Sequence, residues 1–141
     1  MGGGGLYLLL MLWAVAHWSF AAAFENAATT VSMKLFWSQV AIPAAVSCPV
    51  LFFLFAARYA SLSGFPPRNW LPLLFAIPSI TFFLAVTHVR FHGLWSEIAL
   101  AEGTTRAIYS HGPWFLVHLT YSYVLLIVGT ILLVKRALKI S

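Results

Sequence analysis

Four separate stretches of this chain are apolar over about 20 residues each, the length a helix needs to cross roughly 30 Å of hydrocarbon. They run from about Gly5 to Phe24, Phe36 to Tyr59, Asn69 to His88 and Pro113 to Val134. Little chain is left over for anything else. Only 8% of the residues are charged and the mean hydropathy is +0.92. A soluble domain carries roughly 25% charged residues, so lipid has to solvate this surface. The expected fold is an all-α integral membrane protein: a single transmembrane domain over residues 1–141, with four helices.

Prolines punctuate the middle spans. Pro43 and Pro49 lie in the second, Pro72 near the start of the third, and Pro78 inside it. Each removes a donor and crowds the carbonyl four residues back, yet a membrane bundle tolerates this where a neighbouring helix serves the freed carbonyl. Kinks are expected near Pro43, Pro49 and Pro78. The first span is not read as a signal peptide, because Met1–Gly5 carries no basic side chain and the apolar stretch is long and aromatic. The Gly2–Gly5 run reads equally as a natural flexible start or an expression artefact.

Charge distribution orients the bundle. With four spans, both termini share a side with the loop between the second and third spans. That side holds Arg58, Arg68, Lys135, Arg136 and Lys139 and no carboxylate. The other side balances Lys34, Arg90 and Arg106 against Glu25, Glu97 and Glu102. Basic loops stay in the cytoplasm, so both termini are expected there. The net charge of +5 then belongs to a face that meets anionic lipid. A nucleic-acid partner is excluded, since the bases are few, scattered and accounted for by topology.

The loops differ in kind. Glu25–Leu35 is a short polar connector, and Ser61–Arg68 is a tight turn built on Gly64, Pro66 and Pro67. The segment from about Val89 to Gly112 is longer than a connector requires. Trp95–Ala101 and Thr105–Tyr109 flank Glu102-Gly103, which predicts a short extracytoplasmic hairpin between the third and fourth helices. Small residues four apart, Ala41 with Ala45 and Ser19 with Ala23, mark candidate helix contacts.

All five histidines fall in the outer half. His111, Trp114, His118 and Tyr121 recur at i, i+3, i+7 and i+10, one stripe of a helix. Thr81 and His88 lie on the third span, Gln39 on the second, His17 on the first. Polar side chains at membrane depth are costly and face a bundle interior or a wet cavity. The functional reading is an outward-facing ligand pocket between the second, third and fourth helices, lined by His17, Gln39, Thr81, His88, Trp114, His118 and Tyr121. The structural reading is that these groups make interhelical hydrogen bonds or sit at the aromatic interface belt, the expectation for His92 and His111. For His17 and His118 both readings stand.

Catalysis has no support: the three carboxylates are all outer glutamates, and no Ser or Cys nucleophile has a base at a readable spacing. No metal site is expected, because no His-x-x-x-His or Glu-x-x-His pair occupies one helix. No cofactor is predicted, although a tetrapyrrole needs only one or two imidazoles in a bundle, which keeps His17 and His118 open as ligands. Cys48 is the lone cysteine and reads as a small apolar residue at a helix contact.

Several blocks together resemble the N-terminal seven-helix membrane sensor domain found ahead of bacterial histidine kinases and some diguanylate cyclases. They are Phe36-Trp37 with the following Pro43, Phe55-Ala56-Ala57-Arg58-Tyr59, Leu74-Phe75-Ala76-Ile77-Pro78, Leu84-Ala85-Val86-Thr87 and His92-Gly93-Leu94-Trp95. The most specific block is Gly112-Pro113-Trp114-Phe115-Leu116-Val117-His118-Leu119-Thr120-Tyr121-Ser122-Tyr123, and the likeness covers about Trp13 to Leu138. The resemblance implies that the four spans correspond to the family's second through fifth helices, in a bacterial inner membrane. That order independently gives the orientation read from charge. One departure is His88-Val89, where the family pattern has Asn-Pro after Thr87. The resemblance further implies a non-enzymatic sensory module, with any kinase or cyclase domain outside this chain. The alternative is a truncated relative acting as an accessory subunit of a larger respiratory or photosynthetic membrane complex. Expected partners are the bilayer together with a homo-oligomer or other membrane subunits.

Overall fold

The computed structural model describes residues 3–60, 64–87 and 93–140. Helix α1 (Gly3–Ala27) and helix α2 (Val31–Tyr59) form an antiparallel pair. A single 3₁₀ turn (Arg68–Trp70) leads into α3 (Leu71–Leu74) and α4 (Ala76–Val86), which together make the third span. Strands β1 (Trp95–Leu100) and β2 (Ala107–His111) pair antiparallel, and α5 (Pro113–Ile140) closes the order. Four helical segments are long and apolar enough to cross a membrane, and the hairpin lies between the third and fourth as expected.

The helix ends depart from the hydropathy boundaries. α2 begins at Val31 rather than near Phe36, leaving only residues 28–30 as connector. Thr30 explains the early start: it takes extended backbone angles, and its hydroxyl accepts from the Met33 N–H at 3.4 Å. At the far end α5 continues past Val134 to Ile140. Lys135, Arg136 and Lys139 extend it beyond the apolar run, where cations suit the negative end of the helix dipole.

The three internal prolines act differently. α2 runs unbroken through Pro43 and Pro49, with the Ser47 hydroxyl donating to the Pro43 carbonyl at 2.6 Å. Pro78 coincides with a true interruption: the third span, expected to be continuous from Asn69 to His88, breaks at Phe75, three residues before it. The described part of that span ends at Val86 with Thr87 as cap. His88, with Arg90 and His92, lies outside the described residues.

α2 is the central helix. Just over half of its most apolar stretch, 56%, is buried by the rest of the chain, against 11–17% for the other spans. Val50, Phe53 and Leu54 pack with Leu125 of α5 on one side, while Ala44 and Leu51 pack with Ala14 of α1 on another. Small residues bring the helices close, though not quite in the pairs the spacing marked. Ala41 is buried and Ala45 half-buried, whereas Ser19 and Ala23 are exposed; α1 makes its close approach through Ala14 and Ala21. Gly129 of α5 meets α2 so tightly that an added Cβ would lie 2.8 Å from the Phe52 ring. The outward faces of α1 and α5 are strongly apolar, with Trp13 and Leu116 both about two-thirds exposed (68% and 65%), as lipid-facing side chains should be.

The two ends of the bundle are chemically distinct. Gly4 sits against Arg58 and Tyr59 at one end. At the other the Lys34 ammonium donates to the Glu25 carbonyl at 2.9 Å, and the Tyr109 hydroxyl donates to the Glu25 carboxylate. The hairpin is folded down onto that second end. Leu94 and Trp95 are buried against Ala85, with Leu35, Ile42 and Trp114 around them. Gly103 takes the positive φ of +68° that the turn between the strands requires.

Candidate functional site

A cavity of about 450 Å³ opens among α1, α2, α4 and α5 beneath the hairpin. Its wall is mostly apolar, contributed by side chains such as Val46, Phe52 and Phe115, with Trp95 of β1 closing the outer end. Three hydroxyl and imidazole groups edge it: Thr81 of α4 and His118 and Ser122 of α5.

These groups form one hydrogen-bonded chain. The Thr81 hydroxyl donates to the Ile77 carbonyl at 2.8 Å, one turn back on its own helix. The Trp114 indole N–H donates to Thr81 Oγ1 at 2.9 Å. His118 Nδ1 lies 3.2 Å from the same oxygen, and Ser122 Oγ lies 3.3 Å from His118 Nε2. A hydroxyl has one proton and two lone pairs. With its proton on Ile77, Thr81 accepts from both Trp114 and His118 Nδ1–H, and His118 Nε2 accepts from Ser122. Every group is then satisfied, which matters because Thr81 is only 1% exposed. The chain joins α4 to α5.

The expected site residues therefore separate. Thr81, Trp114 and His118 come together, and of the polar groups expected near His118 (Gln39, Thr81 and His88) it is Thr81 that bonds it. Gln39 is turned away, its amide donating to the Ala85 carbonyl at 2.8 Å near the end of α4. The Tyr121 hydroxyl donates to the Leu74 carbonyl. That carbonyl is the one whose helical donor Pro78 lacks, so Tyr121 serves the acceptor that the proline orphans. His17 belongs to a different recess of about 440 Å³ between α1 and α2, where its Nε2 donates to the Val40 carbonyl at 3.0 Å. His111 is not on the α5 stripe at all: it ends β2, exposed, with its ring stacked 3.7 Å from Phe115. His88 lies outside the described residues.

Ser122 and Cys48 line the cavity but were not among the expected site residues. Ser122 had a signal, since it follows His118 by four residues and so shares its helix face. The stripe was anchored on His111, and this hid it. Both imidazoles once open to a tetrapyrrole spend ring nitrogens inside the protein. Among the described residues no three His, Cys, Asp or Glu side chains gather as a metal site would need. The site offers hydroxyl and imidazole hydrogen-bonding groups at the edge of an apolar cavity.

Over residues 2–141 the chain matches the family described as the N-terminal 7TM region of histidine kinase, and it belongs to that family. The match extends the Trp13–Leu138 likeness to nearly the whole sequence. No curated protein and no solved structure matches it. Four spans fit part of a seven-helix region, and the chain is a multi-pass membrane protein. Such a region is the sensory part of a histidine kinase and is not itself catalytic.

Proposed function

We propose that this chain is a ligand-receiving module of a histidine-kinase-type receptor, and that the cavity edged by Thr81, His118 and Ser122 receives the signal. The carrying observation is a hydrogen-bonded polar chain lining an otherwise apolar space of about 450 Å³. Buried polar networks in a membrane are costly to maintain, and this one links two different helices, α4 and α5. The ligand class is a small, lipid-soluble molecule with a single hydrogen-bonding group, able to compete for Ser122 or His118. A ligand shifts a receptor only if it binds its two states differently. Exchanging the Thr81–His118 bond for a ligand bond supplies that difference, because it removes one of the links between α4 and α5 while the Trp114–Thr81 bond stays. In this reading residues 1–141 form a single transmembrane domain without catalytic activity, in a bacterial cell membrane. The basic end with both termini is cytoplasmic, and partners are further copies or other membrane subunits.

His118→Phe tests the reading. Phenylalanine is the better lipid residue, so the amount of inserted receptor should stay within about twofold while signal-dependent kinase output falls at least about tenfold, the loss of one buried polar contact worth about 1.4 kcal/mol. Output equal to wild type would remove the cavity's centre.

A further inference from the structure

A second recess, polar where the first is apolar, lies at the hairpin end. It encloses about 330 Å³ between the adjoining ends of α1 and α2 and the start of β2, and its walls carry Glu25, Asn26, Lys34, Thr105, Arg106 and Tyr109. None of these belongs to the bundle cavity.

Lys34 is the residue that asks for an explanation. It is only 3% exposed, yet its ammonium has one acceptor among the described residues, the Glu25 main-chain carbonyl. An ammonium has three donors, and a buried cation is costly unless paired. Among the described residues the Glu25 carboxylate forms no ion pair with Lys34, and its Oε1 accepts from the Tyr109 hydroxyl. Burial first, then that hydrogen bond and the glutamate's charge, hold Tyr109 well above the ordinary tyrosine range, so the hydroxyl stays protonated and the contact stays closed. Across the recess Arg106 is exposed. Its position is set by the turn, where Thr104 Oγ1 donates to the Ala101 carbonyl at 3.1 Å and accepts from the Arg106 N–H at 3.2 Å. The recess thus holds two bases and one carboxylate, with unspent donors on Lys34 and Arg106.

We infer that this recess binds a small anion, a carboxylate or phosphate group, between the Lys34 ammonium and the Arg106 guanidinium. The group comes either from a free solute or from the headgroup of a lipid in the outer leaflet. Glu25 lines the same recess, so two bases against one carboxylate leave a net charge of +1 and favour a monoanion. Charge-assisted bonds of this kind are about twice as strong as neutral ones, and through the bound anion they tie the hairpin to the start of α2. The inference does not depend on what occupies the bundle cavity.

The test uses the full chain in phosphatidylcholine nanodiscs, at constant ionic strength, with the unfolding temperature as readout. Sodium acetate and sodium phosphate are titrated separately, and a parallel set of discs contains phosphatidylglycerol without added solute anion. A solute site gives a saturable rise with acetate or phosphate. A headgroup site gives the rise with phosphatidylglycerol instead. In either case Arg106→Gln and Lys34→Gln weaken half-saturation at least about tenfold, whereas Lys34→Arg stays near wild type. Arg106 is exposed, so its variant reports binding even if loss of Lys34 impairs folding. No saturable rise in either arm, or rises unchanged in Arg106→Gln, overturns the inference.

Discussion

At the scale of single residues, three of the expected site residues are each held by a backbone carbonyl of another helix: Tyr121 by Leu74, Gln39 by Ala85, and His17 by Val40. Thr81 and His118, with Ser122, face the cavity under the hairpin instead. This division separates groups held by the backbone of a neighbouring helix from groups that face the cavity. The Tyr121 bond is explained by Pro78, and the explanation has a consequence. Tyr121→Phe alone leaves the Leu74 carbonyl without a donor and should cost about 1–2 kcal/mol. In a Pro78→Ala background a main-chain N–H returns at position 78, and the same substitution should cost less than about 0.5 kcal/mol. Reversible unfolding in mixed micelles measures all four corners of this cycle, and equal costs in both backgrounds would show that the proline is irrelevant to the bond. Depth and side-chain type were enough to single out His118 and Thr81 from sequence. The carbonyl partners were not readable, because a hydropathy pattern carries no record of which backbone acceptor lies unserved on another helix. Position 74 follows arithmetically from Pro78, but nothing in the pattern names Tyr121 as its donor.

At the scale of elements, the spans were legible because about 20 apolar residues is a physical requirement of the bilayer. Their ends were not, since a cap such as Thr30 or a polar helical extension such as Lys135–Lys139 changes hydropathy little. The hairpin was legible from its turn and from the aromatic residues on either side. Close packing was only partly so: the small-residue spacing found Ala41 but missed Ala14 and Gly129. Gly129 is where α5 approaches α2 most closely, and substitution separates two opposing effects. Alanine is worth about 1 kcal/mol over glycine in a helix, while overpacking costs about 1–3 kcal/mol. At Gly4 an added Cβ meets its nearest neighbours at an ordinary 3.6 Å, so Gly4→Ala should be neutral or stabilising. At Gly129 the 2.8 Å approach to Phe52 should win, and Gly129→Ala should lose about 1 kcal/mol. Thermal unfolding of the two variants side by side checks this, and a stabilised Gly129→Ala would mean the Phe52 ring gives way freely.

At the scale of the whole molecule, the bundle is a central helix wrapped by three other spans, basic at one end and capped by a hairpin at the other. Membership of the histidine-kinase 7TM family makes it part of a sensor; sidedness and ligand are the proposals that remain to be measured. In a Cys48→Ala background, a cysteine at Ser96 should react with an impermeant thiol reagent in intact cells and one at Ser63 should not; the reverse pattern would invert the orientation. The central claim is that the cavity beneath the hairpin receives the signal, and its most direct test is to fill the cavity. Ala45 is half-buried on the cavity wall, and Ala45→Phe should occupy the space a ligand would take. The measurement is the ligand-induced rise in unfolding temperature, in nanodiscs, over a library of small apolar compounds each bearing one hydrogen-bonding group. The expected result is that some compounds stabilise the wild-type chain and that Ala45→Phe, folded and inserted, abolishes the rise. A library with no stabilising compound, or compounds that stabilise Ala45→Phe as strongly as wild type, would contradict it.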